Sequence, residues 1–206
     1  DWDDPRVLQT VGLSSDRFGV LESDIEPGEI DQEQHDAVRD VFVVPSACLL
    51  IRADLFRTLE GFEPTIDFHG EDVDLCWRAH CSGARVVVVP AARARHAGRL
   101  ADRRPDLRHV DKRESHRVTS VAVMTGGARL PVVIVEMLTG SVISALAALL
   151  RGRVADARVH VGSLVTLIAN LSRIFRRRRR LAGLRRVPDR EVRDLQVRGS
   201  VRWRRW

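Results

Sequence analysis

Short apolar runs separated by polar, turn-rich stretches predict where regular structure forms along this chain. Residues 1–40 are polar and broken by Gly12, Gly19, Pro27 and Gly28, which predicts loops around short elements. Val41-Phe42-Val43-Val44 and Ala47-Cys48-Leu49-Leu50-Ile51-Arg52 follow, β-favouring runs split by Pro45, as in a bent or interrupted strand of a sheet buried on both faces. Residues 53–60 predict a helix, because Leu55, Phe56 and Leu59 fall at i, i+1 and i+4 and Gly61 stands where a C-terminal cap belongs. A second amphipathic helix is predicted from residue 71 to about residue 82, with Val73, Leu75, Cys76, Trp77 and Ala79 apolar and Gly83 ending it. Val86-Val87-Val88-Val89 before Pro90 reads as a central strand. This order predicts an α/β domain over residues 1–98, then a charged connector over residues 99–129.

Beyond the connector the pattern changes. Residues 130–150 are apolar over the roughly 20 positions that cross a bilayer, yet Glu136, Gly140 and Ser144 recur at i, i+4 and i+8 as a polar stripe. Residues 159–175 form a second apolar stretch, with Ser163, Thr166, Asn170, Arg173 and Arg177 at helical spacing along one face. If both crossed, the turn holding Arg151, Arg153 and Arg158 would lie opposite the arginines of 176–180, against the positive-inside bias. The expectation is therefore a membrane-associated helical pair over residues 130–180, lying in the headgroup plane with turn and cluster on one anionic face, and a basic tail over 181–206.

Charge sharpens the division. The 206 residues carry a formal net charge of +6, but residues 1–80 hold 19 acids and 6 bases while residues 81–206 hold 9 acids and 28 bases. The basic part is expected to face an anionic partner, a phospholipid surface or a nucleic acid. With 44% hydrophobic and 30% charged residues the composition excludes wholesale disorder and a polytopic membrane protein. Cys48, Cys76 and Cys81 are an odd set without metal-ligand spacing, so no disulfide framework is expected. The chain opens without Met in the acidic run Asp1-Trp2-Asp3-Asp4 and ends in a basic aromatic run, and it is expected to be a piece of a longer protein.

The densest chemistry is Gly70-Glu71-Asp72-Val73-Asp74-Leu75-Cys76-Trp77-Arg78. Acids in a first helical turn complement the backbone dipole, which is one reading of all three. The other is catalytic: adjacent acids point about 100° apart on a helix, so one can face a cleft as a general base while its neighbour tunes it. On this amphipathic helix Trp77 can also pack in the core.

Four ordered blocks carry a resemblance: residues 46–56, then Gly61-Phe62-Glu63, then residues 70–78, then Gly83 with residues 86–93 and His96. Together they resemble the acceptor-side half of inverting family 2 glycosyltransferases, most of all the rhamnosyl- and galactofuranosyl-type enzymes of actinobacteria. The resemblance covers about residues 1–98 and implies part of a GT-A fold, a nucleotide-sugar donor, a divalent metal (Mg²⁺ or Mn²⁺) and a single displacement. It implies Asp72 as the base that deprotonates the acceptor hydroxyl, with Glu71 beside it. Asp67, His69 and Trp77 would shape the acceptor site, and His96 would help hold the metal or diphosphate, although a solvated basic loop accounts for that histidine equally. The donor-side half with its Asp-x-Asp motif is absent, Asp1-Trp2-Asp3 being a mimic without a preceding buried strand, so the chain alone is expected to be inactive. Glu60 and His69 depart from the pattern at the acceptor loop.

The expected acceptor is a cell-envelope polysaccharide or lipid-linked glycan, met at the cytoplasmic face of the cell membrane, with no nucleic acid involved. Two other readings stay open: a nucleic-acid-binding protein gripping phosphates through its arginine-rich C-terminal region, and an inactive scaffold that retains the fold.

Overall fold

The computed structural model describes residues 1–67, 69–97 and 109–201. Among the described residues four two-residue strands organise the N-terminal part. β1 (Ser14–Ser15) and β2 (Leu21–Glu22) form an antiparallel hairpin, and β3 (Arg39–Asp40) pairs antiparallel with β4 (Val87–Val88), Arg39 opposite Val88. The chain stays extended after β3: the Val41 N–H donates to the Val86 carbonyl at 3.0 Å, and Leu13 and Val43 form an isolated bridge. Phe42 and Val43 are thereby driven into the core, at 1% and 0% exposure.

The valine run at 86–89 was expected as a central strand and forms only β4, with Val86 buried, Val87 and Val88 half-buried and Val89 exposed. Four valines state a β preference, but the number of neighbouring strands is a tertiary fact, and here the ladder has one partner. The run at 47–52, by contrast, holds no strand: Ser46–Cys48 is a 3₁₀ turn entered from Pro45. Two helices follow the prediction closely. α1 (Ala53–Thr58) closes where Glu60 and Gly61 both take positive φ and the Gly61 N–H donates to the Phe56 carbonyl at 2.9 Å. α2 (Glu71–Cys81) buries its C-terminal two turns and stops before Gly83, φ 83°.

α3 (His109–Met124) lies within the stretch expected as a charged connector. Its first turns carry the charge; its end, with Val118, Val121, Ala122, Val123 and Met124, is buried. α4 (Leu130–Leu150), α5 (Val154–Ala169), α6 (Leu171–Ala182) and α7 (Asp189–Asp194) complete the helical part. The second apolar stretch is therefore two helices, broken at Asn170, whose side-chain amide donates to the Thr166 carbonyl at 2.8 Å. One continuous core joins both parts: Phe42, Leu75 and Trp77 share it with Val121, Met137 and Ile174. The C-terminal residues clamp the N-terminal ones as well. Asp16, fully buried, accepts the Val201 N–H at 2.9 Å, and the Val197 N–H donates to the Ser15 carbonyl at 3.0 Å.

The polar stripes turn largely toward the protein: Glu136, Gly140, Thr166 and Asn170 are half-buried, although Arg173 in line with them is exposed. Ser141, Ser144 and Ser163 are buried, while Val132, Val135, Ile143 and Leu146 of α4 and Val161, Val165 and Ile168 of α5 are about half exposed or more. Gly127–Leu150 is, among the described residues, the one stretch long and apolar enough to cross a membrane by length and composition, with mean hydropathy 2.1.

Candidate active site

The site is built at the N-terminus of α2. His69 and Gly70 both take left-handed φ, 57° and 104°, and this sharp entry sets the first helical turn against the chain at Ser46. Glu71, Asp72 and Asp74 all lie in that turn, where the unpaired backbone N–H groups favour negative charge.

The three carboxylates have different surroundings. Glu71 Oε1 accepts from the Ser46 hydroxyl at 2.8 Å, and its buried Oε2 has no hydrogen-bond partner among the described residues. Asp72 Oδ1 accepts the Val73 N–H at 2.8 Å, and Oδ2 lies 3.4 Å from the Ser46 N–H. Burial, and then the charge of Glu71, raises the Asp72 carboxyl above the usual aspartate range, and the backbone N–H donors only partly offset this. Asp74 is fully buried and bound by Arg78 at 2.7 Å and by Arg177, so it holds the helix in place.

Asp72 opens on a cavity of about 610 Å³. His69, Gly70, Val73 and Trp77 line it from the same segment, and Gly19, Val20 and Leu21 from the hairpin loop. Trp77 is 4% exposed and meets Phe42 edge to face at 5.4 Å, so it is a core residue with one edge on the cavity. The helices supply the rest of the wall: Arg113, His116 and Arg117 of α3, Arg151 and Arg153 at the α4–α5 turn, and His160 of α5. Sequence reasoning did not find these wall residues. They stand 40 to 90 positions from Asp72 by number, and no local motif links them to it.

Of the other residues expected in the site, Asp67 lies outside the cavity lining. It is exposed, held by Lys112 and 3.8 Å from His116 Nε2, and the hydrogen bond from Lys112 lowers its carboxyl. His96 is exposed and also outside the lining, its carbonyl accepting from Gln9 at 3.1 Å. Among the described residues no group of three His, Cys, Asp or Glu is placed to hold a metal ion. Glu71 and Asp72 are the adjacent carboxylates at this helix start, and an ion such as Mg²⁺ held by one or two carboxylates completes its shell with water and phosphate oxygens.

The arginines of 176–180 were expected to face an anionic surface together. Three do not. Arg177 is buried against Asp74 and Glu63, Arg178 donates to the carbonyls of Ala122, Val123 and Thr125 at the end of α3, and Arg180 pairs with Glu60 and Glu63. Burial works to raise the Glu63 carboxyl, but Arg177, Thr65 and Arg180 together hold it lowered. The run thus anchors α6 to α2 and α3, leaving Arg176 and Arg179 exposed. A polybasic run shows its composition, and only the fold shows which of its members meet buried acids.

A mixed α/β protein with a carboxylate at a helix start, opening on a cavity, is the class that fold and site define. The proteins it is similar to include a named glycosyltransferase. Over 168 residues the chain is 31% identical to the pre-mycofactocin glycosyltransferase of Mycobacterium tuberculosis, in strains CDC 1551 / Oshkosh and ATCC 25618 / H37Rv alike, a match covering 72% of this chain and 34% of the relative. A second match, 37% identical over 71 residues, covers 33% of the chain and 6% of the O-antigen biosynthesis protein RfbC of Myxococcus xanthus. The chain spans about a third of the length of the M. tuberculosis relatives. No protein-family model and no solved structure matches it.

Proposed function

We propose that the chain is the acceptor-side part of an inverting, GT-A-type glycosyltransferase that moves a sugar from a nucleotide-sugar donor to a hydroxyl of a cell-envelope polysaccharide or glycolipid. The observation that carries this reading is Asp72, half-buried at the start of α2 and lining a 610 Å³ cavity. In the proposed reaction its carboxylate takes the acceptor proton as the hydroxyl oxygen attacks the anomeric carbon, and the nucleoside diphosphate leaves from the opposite face. A raised carboxyl is a stronger base than an exposed aspartate. The relatives' names support sugar transfer as the chemistry.

The reading includes a place at the cytoplasmic face of the membrane, with α4 and α5 lying in the headgroup plane. Glu136, in the second turn of α4, pairs with Arg17 of the N-terminal part at 2.9 Å, which supports a helix bound flat against the domain. Its outward face is apolar, and between residues 130 and 182 the only acids are Glu136 and Asp156, each ion-paired.

The test is Asp72→Asn in the complete polypeptide, assayed by transfer of label from a sugar nucleotide to membrane-fraction acceptor. Transfer is expected to fall about 10²- to 10⁴-fold while nucleotide-sugar affinity is kept. Undiminished turnover would remove Asp72 from the role.

A further inference from the structure

The entry into α2 is strained, and it is held from outside the helix. His69 takes φ 57°, a left-handed conformation that a residue with a side chain adopts at a cost and keeps only where its surroundings fix it, and Gly70 follows at φ 104°. Asp72 stands two residues further on, so the path of the chain at 69 and 70 decides where its carboxylate points. Ser46 steadies the first turn itself, through its hydroxyl at Glu71 and its N–H near Asp72.

The residues before that turn are held by α3. His116 Nδ1 lies 2.9 Å from the His69 carbonyl oxygen, and because a carbonyl only accepts, Nδ1 carries the proton and donates. The two backbones run close here: a Cβ added at Gly70 would meet the His116 Cβ at 3.5 Å. The other ring nitrogen, Nε2, is 3.8 Å from Asp67, and Lys112, one helical turn earlier on the same face of α3, binds that same carboxylate. α3 thus grips the chain at Asp67 and at His69, ahead of the helix. It is tied in turn to α5, where the Ser115 and Thr166 hydroxyls meet at 3.3 Å. His116 also lines the cavity with Asp72, its side chain 15% exposed.

We propose that His116 is a positioning residue for Asp72: its hydrogen bond to the His69 carbonyl keeps the left-handed entry of α2 in the geometry that presents the Asp72 carboxylate to the cavity. This rests on the reading of Asp72 as the acceptor base, and it gives the helical part of the chain a share in a site whose acids lie in the N-terminal part. A displacement of about 1 Å at a reacting group costs on the order of 10²-fold in rate, so a lost hold on residues 69 and 70 is felt in turnover and not in donor binding.

The test measures sugar transfer and backbone exchange in the complete polypeptide. His116→Leu removes the donor, whereas His116→Asn keeps one, because the Asn amide nitrogen stands where Nδ1 stands in histidine. His116→Leu is expected to lower kcat about 10- to 100-fold with the KM for the sugar nucleotide little changed, and His116→Asn to recover part of that loss. Amide hydrogen exchange, read by mass spectrometry, should quicken over residues 69–74 in the Leu variant, return toward the unaltered rate in the Asn variant, and stay as it was over the buried end of α3. His116→Ala takes the place of the Leu variant if that one does not fold. An unchanged kcat in the Leu variant, a loss that Asn does not recover, or faster exchange spread equally through α3 would each overturn the proposal. An inactive Asp72→Asn beside a fully active His116→Leu keeps Asp72 as the base and removes His116 from the role. Exchange at 69–74 that follows the His116 variants as expected, in a polypeptide that transfers no sugar or whose Asp72→Asn variant transfers undiminished, keeps the hold on the turn and removes the base.

Discussion

Asp74 of α2 and Arg177 of α6 form a buried ion pair across 103 positions of sequence, their side chains 0% and 5% exposed. Arg177 also meets Glu63 at 2.9 Å, and Arg78 joins Asp74 to the Gly61 carbonyl at 2.7 Å, so the helix that presents Asp72 is fastened from behind. Removing one member strands buried charge on the others, which is far costlier than losing a surface pair. Arg177→Ala is expected to destabilise the chain by about 3–5 kcal/mol in denaturant unfolding, whereas Arg176→Ala, at an exposed neighbour, stays within roughly 0.5 kcal/mol. Equal losses would show that the buried pair does not fasten α2.

The raised Asp72 carboxyl sets the acid limb of transfer. A general base works only when deprotonated, so activity should fall on acidification at a pH above that of an ordinary aspartate. Burial is the larger cause and the charge of Glu71 the second, so Glu71→Gln should move the limb downward without returning it to the exposed value. Stability runs the other way. The folded state holds this proton more tightly than the unfolded state, so the group opposes folding as pH rises through its folded pKa. Asp72→Asn should therefore raise the thermal midpoint at neutral pH while it abolishes transfer, and a lowered midpoint would contradict the burial argument.

Sequence pattern located α1, α2 and α4 within a few residues because each has its own period and stop signal: Gly61 after α1, Gly83 after α2, and twenty-one unbroken helical residues in α4. The pattern could not reveal pairing. Val87 and Val88 have one neighbouring strand, and α3 was hidden because Lys112, Arg113 and Glu114 dominate the sequence before its buried end. The site was legible in part. The acids at 71 and 72 announce themselves, but the histidine and arginine wall comes from helices far along the chain, and the inward turn of Arg177 depends on Asp74 and Glu63 being buried opposite it.

His80 illustrates a buried group outside the cavity. Its Nε2 donates to the Phe42 carbonyl at 2.9 Å and its ring stacks on Phe42 at 4.9 Å. Burial lowers its pKa, and the Phe42 hydrogen bond and the Asp40 charge only partly offset this. Between its folded pKa and 6.5 the unfolded state binds the proton better, so stability is full above that range and lost as pH falls through it. The thermal midpoint should drop between pH 7.5 and 5.5, and His80→Gln should flatten that drop. An identical slope in the variant would assign it to other groups.

The outward face of α4 gives the membrane reading its own test. Ile143 and Leu146 are 49% and 56% exposed, so replacing both with Asp removes no core contact and should leave the thermal midpoint within the small range of surface changes. If that face enters the interfacial region of a bilayer, the two side chains together contribute about 2–3 kcal/mol of apolar burial, and the variant should bind vesicles on the order of 30-fold or more weakly. Vesicles of phosphatidylcholine with one-third phosphatidylglycerol are suitable. Raised salt separates the two contributions: it screens the exposed Arg173, Arg176 and Arg179 but not the apolar face, so binding by the unaltered chain should fall partly and level off. Binding abolished by salt and indifferent to Ile143→Asp/Leu146→Asp would make the attachment purely electrostatic and leave the apolar face of α4 for a protein partner.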